Sequence, residues 1–299
     1  MAATMHPDLA FEVWRGERQQ RIEDVLDHAL TFDAGTPAAL AEAMRYAVLD
    51  GGKRVRPLLA YAAGELAGAD PAAVDVPAAA VEMIHAYSLA HDDLPCMDDD
   101  VLRRSKPTCH VAFGEARALL AGDALQAHAF AMLGSSALRD AGQACALLAH
   151  AAGAPGMAGG QAIDLAHVGV SMSLADLETM HRLKTGALIR AAIRLGAECG
   201  RPLAHMEIAA LDTFAAAAGL AFQVVDDVLD VEGSAATLGK TAGKDAARNK
   251  PTYVSVLGLA EAKRHAAQLR DEAHVALEGF GGAARRLHEI ADWITRRTH

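Results

Sequence analysis

The chain has 299 residues, 52% of them hydrophobic but only 4% aromatic, and a formal net charge of -10. That acidic balance argues against a nucleic-acid surface or a polybasic membrane patch, and any anionic substrate must be met by a local cationic site or a bound cation. The apolar residues are mostly Ala and Leu, which lose little side-chain entropy in a helix, so an all-α protein is expected.

Cys96, Cys109, Cys145 and Cys199 are scattered with no C-x-x-C pair, as reduced thiols would be. Near the start lie Asp8, Glu12 and Glu17, with no apolar run of signal or membrane-spanning length. A cytoplasmic protein with no membrane anchor and no nucleic-acid partner is expected.

Helical periodicity dominates and strand alternation is nearly absent. The first helix is expected over 7–30. Thr36-Pro37 reads as a cap and first-turn pair opening a helix that stops at Gly51-Gly52. Apolar helical stretches follow at 57–67, 77–94, 115–138 and 141–152, and Gly153 to Gly160 reads as a glycine-rich interruption. Ser173 with Asp176 resembles a capping box starting a long helix to about Cys199. Further helices are expected over 203–231, 251–278 and 283–297. The intervening 233–251 is rich in Gly, Ala and Lys; it reads as a solvated loop or as a mobile active-site lid within one domain spanning 1–299.

Asp92, Asp93, Asp98, Asp99 and Asp100 place five carboxylates in nine residues directly after an apolar helical stretch. A helix C-terminus already carries partial negative charge, so this cluster is unfavourable unless a cation sits there. Pro95 disfavours the α conformation at Leu94, and the resulting break lets Asp98 swing back toward Asp92. In the second cluster, Asp226-Asp227-x-x-Asp230, Asp226 and Asp230 share a helix face within an apolar run. Each cluster also reads as acids in water at a helix end. Together they read as two faces converging on one cavity, and all-oxygen ligands select a hard ion such as magnesium.

The basic residues fall where a phosphate site needs them. Lys53, Arg54 and Arg56 follow Gly51-Gly52, Arg103-Arg104 follow the first cluster, Lys184-Thr185-Gly186 lies mid-helix, and Lys240, Lys244 and Lys250 punctuate the 233–251 segment. Each has a plainer reading as a solvated or charge-balancing group, and their joint occurrence with two acidic clusters is what favours phosphate.

These motifs, in this order over nearly the whole chain, resemble the short-chain trans-prenyltransferases, specifically the bacterial farnesyl diphosphate synthases. The carrying motifs are Asp92-Asp93-x-x-x-x-Asp98, Asp226-Asp227-x-x-Asp230, Gly51-Gly52-Lys53-Arg54-x-Arg56-Pro57, Lys184-Thr185-Gly186 and Phe222-Gln223. The resemblance implies an all-α bundle around a deep central cavity and a homodimer. It implies condensation of isopentenyl diphosphate with allylic diphosphates, using three magnesium ions or manganese in their place. Asp92, Asp98 and Asp226 would bind metal, supported by Asp93, Asp227 and Asp230. Arg103, Lys184 and Lys240, with Lys250 beside them, would hold the allylic diphosphate. Lys53, Arg56, His85 and Arg104 would hold isopentenyl diphosphate, and Thr185 and Gln223 would face the developing carbocation. His91 and His110 are left as structural.

Ser88 and Tyr87 lie four and five residues before Asp92, one helical turn deeper. On geometry alone Tyr87 reads equally as a core tyrosine or as the floor that limits chain length; the resemblance favours the floor. A synthase of ten- or twenty-carbon products is the nearest alternative. Lys53, Arg56 and His85 argue against a terpene cyclase, which needs no isopentenyl diphosphate site.

Overall fold

The Ala- and Leu-rich periodicity resolves into helices with little else. A computed structural model describes residues 7–49, 51–232 and 250–297. Among these the only extended pairing is the two-residue antiparallel ladder of β1 (Leu102–Arg103) and β2 (Lys106–Pro107).

Helix α1 (Pro7–Ala29) buries Phe11, Trp14, Ile22 and Leu26 along one face, at helical spacing. α2 spans Ala38–Val48, and Pro37 rather than Thr36 occupies its N-cap position, with no side-chain cap bond. α3 (Val55–Leu66) is buried nearly throughout, as expected of a central helix. α4 runs Pro71–Asp92, capped by Asp70, whose side chain accepts from the Ala72 N–H. It begins before the expected 77–94 stretch, and Pro77 lies inside it.

After the β ladder come α5 (Cys109–Phe113), α6 (Glu115–Gly134) and α7 (Ala141–Ala152). α8 (Met157–Ala166) includes Gly159 and Gly160, so the interruption is shorter than the glycine count suggests. A Cβ at Gly160 would overlap the backbone nitrogen of Lys184. The glycine therefore serves close packing of α8 against the next helix.

α9 (Leu174–His181) starts at Ser173, whose hydroxyl accepts from the Asp176 N–H at 3.2 Å and donates to the Asp176 carboxylate at 2.7 Å. It continues through a π-turn, Arg182–Gly186, into α10 (Ala187–Glu198). α11 (His205–Glu232) is followed, beyond the undescribed 233–249, by α12 (Tyr253–Leu257) and α13 (Leu259–Ala276). Gly258, at φ +80°, separates these last two, where one helix was expected. A 3-10 segment, Glu278–Ala284, leads to α14 (Arg285–Arg296).

α4 packs on α3 and α6, α3 on α10, and α11 on α13. α10 touches both α4 and α11, the two helices whose C-terminal ends carry the aspartates. α11 is long and apolar enough to cross a membrane by length and hydropathy. It is a core helix here, burying Phe214, Leu220, Val224 and Val225.

Candidate active site

The first aspartate cluster forms where α4 ends. The Asp93 N–H still donates to the Leu89 carbonyl at 3.0 Å, and the chain then loops around Pro95. The Asp98 N–H closes that loop onto the Asp92 carbonyl at 2.8 Å, and the Asp100 N–H onto the Asp93 carbonyl at 3.2 Å. The proline break thus brings Asp98 back beside Asp92. Burial, reinforced by Asp98 and Asp93 and opposed by Lys184 and Arg103, pushes the Asp92 carboxyl up to about 6. A carboxylate so placed favours a cation. Asp93 turns instead to Arg103, whose guanidinium donates to both its oxygens at 2.6 to 3.0 Å, and is 2% exposed.

On α11, Asp226 pairs with Arg297 at 2.8 Å. The same guanidinium lies 4.0 Å over the Phe222 ring and donates to the Phe222 carbonyl at 2.8 Å. Asp227 is buried and accepts from the Tyr253 N–H at 2.8 Å and the Gln223 amide at 3.4 Å. The Thr185 hydroxyl in turn donates to the Gln223 oxygen at 3.2 Å. Asp230, one turn beyond Asp226, is buried. Asp93 and Asp227 are thus engaged by neighbouring protein groups, and Asp92 and Asp226 each line one of two cavities.

Two cavities meet here. One, of about 390 Å³, is lined by Tyr87, Ser88, Asp92, Gln161 and Lys184. The other, of about 360 Å³, is lined by Lys53, Arg103, Arg104, Gln223, Asp226 and Arg297. They share Arg56, His85, Leu89 and Thr185, and both fall in the size range of small-molecule sites, roughly 300–1,000 Å³.

The glycine pair explains the shape of the basic wall. Gly52 has φ +103°, and Arg104 crosses it to donate to the Gly51 carbonyl at 2.6 Å. A Cβ on Gly52 would stand 2.7 Å from the guanidinium carbon. Arg54 supports this wall from behind: it is 3% exposed, paired at 2.7 Å with both Glu23 and Glu82, and bonded to the Val48 carbonyl. Burial lowers the pKa values of Arg56 and Arg104, and His85 is held well below its usual range by burial and then by Arg56 and Arg104. His85 is thus a neutral hydrogen-bonding group among cations. Buried Nε atoms of Arg56 and Arg297 and the Gln161 amide nitrogen lack partners among the described residues. Crowded cations with unfilled donors fit a polyanion.

Lys184, on the π-turn, meets Asp164 of α8 at 2.6 Å. Lys250 bridges Asp98 at 2.9 Å and Asp164 at 3.3 Å. Lys240 and Lys244, and the expected lid apart from residues 250 and 251, lie outside the described residues. His91 binds the Leu119 carbonyl at 2.9 Å and also lines the cavity that holds Lys184, while His110 binds the Thr108 hydroxyl at 3.1 Å. Asp164, Glu82 and Arg297 were not singled out from the sequence. Asp164 and Glu82 stand alone in apolar helical stretches, and Arg297 lies far along the chain from every motif.

A family model described as polyprenyl synthetase matches residues 37–277. The chain belongs to the polyprenyl synthetase family. It is 50% identical to a farnesyl diphosphate synthase of Escherichia coli, with 86% of this chain and 89% of that one aligned. It is also 50% identical to a probable farnesyl diphosphate synthase of Bradyrhizobium diazoefficiens, over 93% of this chain and 86% of that one. A Helicobacter pylori geranyltransferase, solved in complex with magnesium and isoprenyl diphosphate, superposes with a TM-score of 0.84 at 32% identity, covering 98% of this chain and 97% of that one. This family membership accounts for the all-α architecture.

Proposed function

We propose that this chain condenses isopentenyl diphosphate with dimethylallyl and then geranyl diphosphate, giving farnesyl diphosphate and pyrophosphate. The observation that carries this reading is the pair of cavities sharing Arg56, His85 and Thr185, with an aspartate cluster on each side. The cavity beside Asp92 suits the allylic substrate, and the basic one beside Asp226 suits isopentenyl diphosphate.

Asp92 and Asp98 on one side and Asp226 on the other would hold magnesium ions, three with bound diphosphate, and manganese is the substitute of the same hard character. No three acidic, His or Cys side chains among the described residues are grouped closely enough to cage an ion. Magnesium needs no such cage, since it keeps waters and takes substrate phosphate oxygens in addition to one or two carboxylates. The bound ions would neutralise the diphosphate as it leaves.

Lys184, Lys250 and Arg103 add charge at the same leaving group. The allylic C–O bond breaks with its electron pair on pyrophosphate. The double bond of isopentenyl diphosphate attacks the cation, and a proton is lost to the released pyrophosphate. Because the Thr185 hydroxyl proton is donated to Gln223, its lone pairs are left for the positive charge. Lys53, Arg56 and Arg104 hold the second diphosphate, and neutral His85 adds a hydrogen bond. Tyr87 and Ser88 line the cavity that takes the growing chain. A cytoplasmic homodimer is the expected form; Val101, Leu102, Val111, Leu119 and Leu120 are exposed within twenty residues of chain, an apolar surface suited to a second copy.

Incubation of purified protein with isopentenyl diphosphate and each primer, with and without EDTA, tests the reading. Magnesium-dependent fifteen-carbon product from both primers is expected. A ten- or twenty-carbon product would retain the mechanism and overturn the chain-length assignment, and cyclised hydrocarbon would overturn the reaction.

A further inference from the structure

Asp164 stands apart from both aspartate motifs, yet through Lys250 it is linked to Asp98 of the first. It lies on α8, is 4% exposed, and receives Lys184 at 2.6 Å and Lys250 at 3.3 Å on the same oxygen, Oδ2. Lys250 also reaches Asp98 at 2.9 Å, so a continuous chain of charges runs Lys184, Asp164, Lys250, Asp98. The backbone contact between Gly160 and Lys184 seats α8 directly on the π-turn, which fixes Asp164 one helical turn from that contact. Two ammonium groups meeting on one buried carboxylate is a costly arrangement to build and is retained here at the edge of a cavity.

We propose that Asp164 is a positioning residue for diphosphate capture: it holds the ammonium group of Lys184 at the cavity wall with that of Lys250 beside it, and competes with Asp92 and Asp98 for them. Without a carboxylate at 164, both ammonium groups shift toward the carboxylates that the reading above assigns to magnesium. Lys184 lines the same cavity as Asp92, and Lys250 is already bonded to Asp98. When a cation takes Asp98, Asp164 keeps Lys250 beside Lys184, on the same carboxylate oxygen. Asp164 remains ionised despite burial, because Lys184 and Lys250 outweigh the desolvation.

This inference rests on the diphosphate reading of the site, which wild-type protein tests separately by binding inorganic pyrophosphate only with magnesium. Against that reference, calorimetry on Asp164→Asn measures pyrophosphate affinity and the magnesium concentration that half-saturates it. Both are expected to weaken about 10-fold, about 1.4 kcal/mol each, while KM for isopentenyl diphosphate changes less than 2-fold. The loss should shrink in a Lys184→Gln background, since the two side chains act as one unit. If Asp164→Asn does not fold, Asp164→Glu, which keeps the charge but displaces it, should show the same selective loss. Unchanged pyrophosphate binding in a folded variant, an equal loss on isopentenyl diphosphate, or full additivity with Lys184→Gln would overturn the proposal.

Discussion

The backbone N–H of Asp98 donates to the carbonyl of Asp92 at 2.8 Å. That one bond closes the loop around Pro95 and turns two carboxylates six residues apart into neighbours. Burial raises the Asp92 carboxyl to about 6; Asp98 adds to that rise, while Lys184 opposes it.

The pH dependence follows from that shift. The folded Asp92 keeps its proton up to about 6, whereas an unfolded aspartate releases it near 4. Between these values the folded state binds more protons, so the metal-free protein loses stability as pH rises through this window. Magnesium displaces that proton, so the magnesium needed for half-saturation should fall from pH 5 to pH 7. Asp92→Asn should abolish the pH dependence and lower kcat roughly 10²–10³-fold. Titrations of magnesium-dependent activity at several pH values, alongside unfolding curves with EDTA, measure both.

Gly52→Ala probes the basic wall. The new methyl would meet the Arg104 guanidinium at 2.7 Å and would have to adopt φ +103°. Displacement of Arg104 should raise KM for isopentenyl diphosphate about 10-fold, which corresponds to about 1.4 kcal/mol. KM for geranyl diphosphate should move far less. Steady-state kinetics with each substrate varied in turn distinguishes the two.

Glu82→Ala tests the support behind that wall. Arg54 and Glu82 are both buried, with side chains 1% and 3% exposed, and removal of the acid leaves a buried guanidinium with Glu23 as its remaining carboxylate. A cost of about 3 kcal/mol is expected. Denaturant unfolding measures it, and a loss below half that would mean Glu23 and the Val48 carbonyl suffice.

Tyr87→Ala addresses product length. Tyr87 lines the cavity beside Ser88 and packs edge-on against His91, with ring centroids 5.6 Å apart. Its removal deepens the cavity, and most product should shift from fifteen to twenty carbons. Mass analysis of the diphosphates decides it; an unchanged spectrum would assign the chain-length role elsewhere.

The helices were legible because Ala and Leu periodicity and local caps encode them. Ser173 with Asp176 is the clearest case, and the Asp92 to Asp98 closure followed from Pro95 alone. Misreadings arose where one residue type serves two purposes. Gly160, within the expected glycine-rich interruption, permits close packing rather than breaking α8. The π-turn under Lys184 was invisible because it is set by packing against α8, where Gly160 admits the Lys184 backbone, and against α11. Asp164 and Arg297 were missed because their meaning is tertiary. One is the counter-ion of lysines 20 and 86 residues away, and the other meets Asp226 from the far end of the chain.

A crystal structure with magnesium and a non-cleavable allylic thiodiphosphate tests the assignment of the two aspartate clusters most directly. The account predicts magnesium on Asp92 and Asp98 and on Asp226, all bridged by the diphosphate, with Arg297 displaced from Asp226. Metal bound away from either cluster, or a diphosphate seated on the Lys53, Arg56 and Arg104 wall without metal contact, would contradict it.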